Sequence, residues 1–389
     1  MAQTNSEVKK ANGLHFFRVL RQEGMLSRKE LEDLTGLSWG SISYISNEFL
    51  KKGMIVAKKE AVTTGRPPDV LAVNPHTHLS LGIDINSIGL SFNVVNLVGE
   101  SLFSAFFLLE NNTKEYLLSL LESEAGQLIR RYHPVGINIA MQGKVDRQRG
   151  ISVRTGFFEN WKNIHLTEFF EERFHIPTRL YHDPESLLAF HRYTDPRLRD
   201  ADNGIVIRVD DGIGMAQMIG GDLYATKSDS SCELGHTISV PNGRPCACGK
   251  RGCLETYSAL RGMKNALGIS GNETFFNFLN ARNADVMREM DEACDRLGVA
   301  VANLFTLYSP SFVLLDGIVP AMCPSFFDRV YAATTGYLGS DCNLMKAAYR
   351  RDAAAIGACL LSIDSCLEDY LFGESAGEEY IRGEANQDK

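Results

Sequence analysis

The stretch Glu233–Glu255, ELGHTISVPNGRPCACGKRGCLE, places His236, Cys246, Cys248 and Cys253 within eighteen residues. Three thiolates and one imidazole are the ligand set of a structural, four-coordinate zinc site. Gly249 and Gly252 allow a tight turn between Cys248 and Cys253. Cysteines also serve as small buried hydrophobes, but three of them crowded among glycines point to a metal. A carboxylate at each end, Glu233 and Glu255, is placed to face a ligand held beside that metal.

The wider composition fits a reduced, metal-binding chain. There are nine cysteines, an odd number, and Met1 is followed by polar residues rather than an apolar core. Both features predict a cytoplasmic chain with no leader and no disulfide framework. The six other cysteines (Cys232, Cys294, Cys323, Cys342, Cys359 and Cys366) read as packing residues. A length of 389 residues predicts two or three domains. Hydrophobic content of 44% and charged content of 23% are those of a soluble globular protein. No apolar run approaches the ~20 residues that span a bilayer, so no membrane partner is expected. The longest run, SLFSAFFLL, stops before Glu110 and reads as a strand.

Net charge is −8, but it is unevenly spread. Residues 1–70 hold eleven lysines and arginines against eight acidic residues, a net of +3 that leaves −11 for the remainder. A basic head on an acidic body is expected when only the head meets phosphate. Within the head, Leu14, Phe17 and Leu20 recur at helical spacing. Ser27-Arg28-Lys29-Glu30 is a capping box that opens a second helix, with Leu31 and Leu34 directed inward. Thr35-Gly36-Leu37 forms a turn, and Ser38 caps a third helix whose Ile42, Ile45 and Phe49 face the core. The outer face of that helix shows Trp39, Ser41, Tyr44 and Asn47, and Gly53 ends it. MIVAKKEAVTTGRPPDVLAV then reads as a two-stranded wing.

Two helices about a glycine turn, the second polar on its outer face, make a helix-turn-helix, and such a helix fits the major groove, about 12 Å wide. A helical protein-interaction module is the alternative. Ser38, Trp39, Ser41, Tyr44 and Asn47 are the candidate contacts to double-stranded operator DNA. Arg66, in the stiff Gly65-Arg66-Pro67-Pro68 segment, is a candidate for the minor groove. The reading 1–72 is therefore a winged helix-turn-helix domain with its linker.

In the body, LSLGIDINSIGLSFNVVNLVGE reads as strand, turn and strand, and VGINIAMQGKVD as a further strand and glycine loop. HIPTRLYHDPESLLAFHRY gives a strand ending at His182-Asp183, then a helix. GIVIRVDDGIGMAQMIGGDLY repeats the first pattern about 120 residues later. The duplication predicts two related α/β lobes about a cleft.

With Glu233–His236 and the Cys246–Glu255 run in place, the chain resembles the ROK family of sugar kinases and sugar-responsive repressors over nearly its whole length. The helical head places the resemblance in the branch of N-acetylglucosamine and xylose repressors. The resemblance implies an α/β fold of two ribonuclease-H-like lobes, as in actin and hexokinase, with a zinc-binding loop. The body would span 73–389, lobe one about 73–185 and lobe two about 186–352. A final helix near Ala353–Leu371 would return to lobe one. It implies sugar contacts at Asp183, Glu233, His236 and Glu255, with His182 standing where the family usually has asparagine. Carboxylates suit a ring of hydroxyls because each accepts two directional bonds. A sugar or sugar-phosphate effector follows, as does a homodimer or homotetramer on paired operator half-sites.

The same resemblance argues against an enzyme. Family kinases carry Asp-x-Gly-Gly-Thr at the first phosphate loop, where this chain has Asp84-Ile85-Asn86-Ser87-Ile88. Asp316-Gly317 stands for a later Gly-Gly, and a carboxylate repels polyphosphate. Asp211-Gly212-Ile213-Gly214 keeps the second loop. Asp183 remains as a vestigial general base. The expected protein is a sugar-responsive repressor that has lost ATP; an active sugar kinase and a protein-docking regulator are the rivals.

Overall fold

The computed structural model describes residues 5–59, 69–224 and 232–372. Arg66 and the acidic tail beyond Phe372 lie outside the described residues. At the N-terminus, α1 (Asn5–Glu23), α2 (Arg28–Thr35) and α3 (Trp39–Lys51) pack on strands β1 (Leu26–Ser27), β2 (Ile55–Lys59) and β3 (Asp69–Val73). The Ser27 capping box forms in full, and Gly36 ends α2 with φ +66°. Ser38 Oγ accepts from Ser41 N–H at the start of α3. Leu14, Phe17, Leu20, Leu31, Ile42, Ile45 and Phe49 are buried together. Leu34, in contrast, is 54% exposed. The short α2 has one inward position, filled by Leu31. The ribbon has three strands rather than two, because β1 pairs with β3 on the side away from β2.

The body holds two five-stranded sheets. The first contains β4 (Ser80–Ile85), β5 (Gly89–Val95), β6 (Ser101–Leu108), β7 (Gly136–Met141) and, after the small sheet β8 (Lys144–Asp146), β9 (Ile151–Arg154), β10 (Lys162–His165), strand β11 (Thr178–His182). The second contains β12 (Gly204–Val209), β13 (Ile213–Ile219), β14 (Asp222–Leu223), β15 (Phe312–Asp316) and β16 (Leu344–Lys346). Their orders, β11-β7-β4-β5-β6 and β14-β13-β12-β15-β16, follow one plan read from opposite ends. In each, an antiparallel three-strand meander is flanked by two parallel strands. The repeated strand-turn-strand pattern in the sequence marks this duplication.

Strand alternation divides each sheet between two cores. Ile205, Ile207 and Val209 face helices α8 (Leu260–Leu267), α9 (Asn272–Asn280), α10 (Ala284–Tyr308) and α12 (Pro324–Leu338), which follow the one-turn α7 (Glu255–Ser258) and enclose α11 (Ile318–Met322) in chain order. Sheet one rests α4 (Lys114–Tyr132) and α5 (Leu166–Phe174) on its outer face. Between the sheets lie α6 (Asp183–Thr194) and α13 (Ala353–Phe372), in one apolar cluster that continues into the head. The returning helix lies flush on sheet one, since a Cβ on Gly82 would collide with the Ala355 carbonyl. Helix α6 runs unbroken across the 185/186 boundary read from the sequence. Its last turn meets the head, where the Arg21 guanidinium of α1 lies 5.3 Å from the Tyr193 ring centre.

Candidate functional site

The loop that opened the reading folds into a compact knuckle. Two short bridges, Ile238 with Cys253 and Pro245 with Arg251, close it. Gly252 sits at φ +77°, with its Cα against the Val240 carbonyl where no side chain fits. Cys246 N–H donates to Lys250 O at 2.9 Å and Gly249 N–H to Cys246 O at 3.0 Å. Arg244 anchors the knuckle by binding the Glu289 carboxylate of α10 with both terminal nitrogens.

This fold gathers His236, Cys246, Cys248 and Cys253, whose donor atoms all lie within 4.8 Å of one another. Cys248 Sγ to Cys253 Sγ is 3.7 Å and Cys246 Sγ to His236 Nδ1 is 3.6 Å. Metal–ligand bonds of about 2.3 Å to sulfur and 2.0–2.1 Å to nitrogen give tetrahedral edges near these lengths. The four side chains therefore fit a tetrahedral divalent ion. Burial pushes the Cys246 thiol well above its ordinary range, and the Glu255 carboxylate, with Oε1 3.1 Å away, adds to it. A cation in the cluster would reverse that preference, since a metal-bound thiol is deprotonated. The knuckle can thus hold a metal.

Beside the knuckle lies a cleft of about 370 Å³ between the sheets. His182, Asp183, Glu233, His236 and Glu255 all line it. Asp183 is placed by the end of β11 and the first turn of α6. His236 turns Nδ1 to the cysteines and Nε2 toward Glu233, 3.9 Å away. A metal on Nδ1 would leave Nε2 to meet a hydroxyl, with Glu255 3.5 Å from Nδ1. Cys232, read as a packing residue, also lines the cleft, where burial pushes its thiol up to about 11.

One central residue was missed. Arg208 is buried at the floor of the cleft, with Nε 2.6 Å from Asp210, Nη1 2.9 Å from Asp183 and Nη2 3.8 Å from Asp84. One guanidinium serves three buried carboxylates. Burial pushes Asp84 up to about 7; Arg208 pulls against this and Asp183 adds to it. Burial also raises Asp183, again with Arg208 opposing. The signal in the sequence was an arginine and two aspartates in RVDD at the end of an otherwise apolar strand.

The loops compared with kinase phosphate loops are tied up internally. Ser87 N–H donates to Gln142 Oε1, and the amides of Ile88 and Gly89 both donate to Asn86 Oδ1. Gly317 N–H donates to Asp316 Oδ1 and Ile318 N–H to Asp210 Oδ1. The second carboxylate oxygen of Asp316 is 2.6 Å from His191 Nε2. The second loop, which keeps its glycines, is a hairpin turn in which Asp210 N–H bonds Gly212 O. The Asp316 and Asp210 carboxylates thus already accept from the amides of Gly317 and Ile318.

In the head, Ser38, Trp39, Tyr44 and Asn47 are exposed along α3, and Ser41 is half-buried, with its hydroxyl 3.0 Å from that of Ser38. Arg28 of α2 reaches the same face, with Nε on Ser46 Oγ at 3.0 Å and Nη2 on Asn47 Oδ1 at 3.5 Å.

A sequence model of the ROK family matches residues 80–365. The xylose repressor of Bacillus subtilis is 24% identical over 375 residues, covering 93% of this chain and 97% of that protein. The DNA-binding transcriptional dual regulator NagC of Escherichia coli is 26% identical over 265 residues, covering 65% of this chain and 63% of NagC. Among solved structures, a ROK family transcriptional regulator described as a homolog of the E. coli MLC protein matches with a TM-score of 0.77, at 21% identity over 94% of this chain and 98% of that one. A ROK family glucokinase from Streptomyces griseus, solved with glucose and AMPPNP, matches with a TM-score of 0.63, at 20% identity over 73% of this chain and 98% of the glucokinase.

Proposed function

The chain belongs to the ROK family, and on that premise we propose that it is a sugar-responsive transcriptional repressor acting on carbohydrate genes. Residues 1–72 form a winged helix-turn-helix that presents Ser38, at the N-cap of α3, and Trp39, Ser41, Tyr44 and Asn47 of α3 to operator DNA, with Arg66 the candidate for the minor groove. Residues 73–389 form the effector-binding body, with one lobe on each sheet. The observation that carries the reading is the convergence of His182, Asp183, Glu233, His236 and Glu255 on one cleft. Their carboxylates suit sugar hydroxyls. Zinc is the ion that a Cys₃His set prefers, and it would stiffen the loop bearing Glu233 and Glu255. Sugar binding between the lobes would favour one of two arrangements, and only a difference in affinity between them shifts the balance. In a homodimer or homotetramer such a shift alters the spacing of paired heads. A mobility-shift assay of the operator with a panel of sugars tests this. Release or strengthening by one sugar is expected; no response to any sugar overturns it.

A second reading, an active sugar kinase, is favoured by Asp183 in the cleft and by the similarity to a glucokinase. Phosphoryl transfer needs free amides and cations around the phosphates, and here the amides of Ser87, Ile88, Gly89, Gly317 and Ile318 are already bonded. Titration calorimetry with ATP should give no heat of binding. Sugar-dependent ATP turnover, lost in Asp183→Asn, would establish the kinase.

A further inference from the structure

One sulfur of the metal knuckle opens on the cleft. Cys248 is half-buried and lines the cleft beside Ala247 and Lys250, whereas Cys246 and Cys253 are buried. The Cys253 sulfur lies 3.7 Å from that of Cys248. A disulfide measures about 2.05 Å, which leaves about 1.7 Å for the pair to close. The chain between them turns through Gly249 at φ +91° and Gly252 at φ +77°. A Cβ at Gly249 would meet nothing within 4 Å, so the loop has room for the small shift that pairing needs.

The other thiols of the region are poorer candidates. Only Ala247 separates Cys246 from Cys248. The Cys246 sulfur is turned to the Cys248 N–H at 3.5 Å, to Glu255 Oε1 at 3.1 Å and to His236 Nδ1 at 3.6 Å. Cys232 also faces the cleft, but burial pushes its thiol up to about 11, so it presents little thiolate. A thiolate that binds a divalent ion, in contrast, is already deprotonated, and the thiolate is the form that reacts.

We propose that Cys248 is a site of oxidation by hydroperoxides, that Cys253 is the resolving thiol, and that their disulfide expels the metal. This rests on the metal-ligand reading above and goes beyond it. The Cys248 thiolate attacks one oxygen of hydrogen peroxide; the O–O bond breaks, hydroxide leaves and a sulfenic acid remains. The Cys253 thiolate attacks the sulfenic sulfur; the S–S bond forms, the S–O bond breaks and a second hydroxide leaves. The two sulfurs lose two electrons and the peroxide gains them. His236 and Cys246 alone do not make a structural site, which needs four ligands. Cys246 then takes a proton from water and donates it toward Glu255 Oε1. Because His236 and Glu255 line the cleft, its wall loosens with the knuckle.

The test uses the full-length, zinc-loaded chain, reduced and then freed of reductant. Hydrogen peroxide is added in small excess. A chromogenic chelator follows the metal, while intact mass and peptide maps follow the sulfurs. One ion should leave per chain, in step with the loss of two hydrogen atoms and a crosslink between Cys248 and Cys253. Reductant with added zinc should restore the metal, and Cys232→Ser should release it at the parent's rate. Retention of the ion under peroxide overturns the proposal and leaves the metal site standing. Release with sulfinic acid at Cys248 and no crosslink, release with a Cys246–Cys248 pair, or a rate that collapses in Cys232→Ser also overturns it. A chain that takes up no zinc removes the metal reading and this proposal together.

Discussion

The two sides of the cleft use the same kinds of residue for opposite ends. Around the metal knuckle, Glu233, Glu255, His182 and His236 point into open space between the sheets. Around the loops compared with kinase phosphate loops, Asp210 and Asp316 turn back onto backbone amides, and Asp84 and Asp210 share Arg208 with the cleft residue Asp183. A polar group already bonded to its own chain has little left for a ligand, because breaking that bond exposes a buried group without a partner. A candidate binding site is thus recognised by which donors and acceptors the fold leaves open, and a closed region by their mutual satisfaction.

The largest test of this contrast lies in the knuckle. Cys246→Ser should lower the bound metal from about one ion per chain toward none, since a structural site requires all four ligands. The sugar response should go with it, while operator binding without sugar persists. Elemental analysis of the purified variant measures the first, and unchanged metal content would refute the ligand assignment.

On the self-satisfied side, Arg208→Ala strips three buried carboxylates of their cation. Urea denaturation should show a loss of about 3–5 kcal/mol, the range for breaking a buried ion pair from one side. A loss below about 1 kcal/mol would mean that protons or water compensate the charge without arginine.

Tyr44→Ala carries the comparison to the head, where open polar groups again mark the proposed surface. Operator affinity should fall by roughly 1–3 kcal/mol if the side chain contacts a base, with sugar affinity unchanged. Equal operator affinity would remove Tyr44 from the contact face.

The smallest effect concerns Asp84. Its pKa in the folded protein, about 7, lies above its ordinary 3.8, so the folded state holds the proton more tightly than the unfolded chain. Its contribution to stability therefore falls as pH rises from about 4 to about 7 and stays low above that. Asp84→Asn cannot lose a proton. Relative to the parent, it should melt about 2 °C higher at pH 8 than the same comparison gives at pH 5. A pH-independent difference would show that Asp84 does not titrate between pH 5 and pH 8 in the folded protein.

Legibility in the sequence followed sequence distance. His236, Cys246, Cys248 and Cys253 fall within one loop, so spacing alone foretold their cluster, and the duplicated strand pairs were visible as a repeated pattern. The cleft residues Asp183, Glu233, His236 and Glu255 came from the family resemblance that the Glu233–His236 and Cys246–Glu255 runs carried. Arg208 escaped because its partners come from the ends of three strands, β4, β11 and β12, and only the assembled sheets bring them together. The alignment of Lys144, Arg154 and Lys162 in one row escaped for a related reason, since it requires the register of β8, β9 and β10. Leu34 was misplaced because helical spacing says which residues share a face, but not how wide a face the neighbours cover.

Helix α6 begins at Asp183 in the cleft and ends against Arg21 of the head. Its twelve residues span about 18 Å without a break. A rod of that kind carries a displacement from one end to the other undiminished, as a push-rod does, with no chain of intermediates to be switched in turn. The cleft and the N-terminal unit are therefore joined end to end by a single helix.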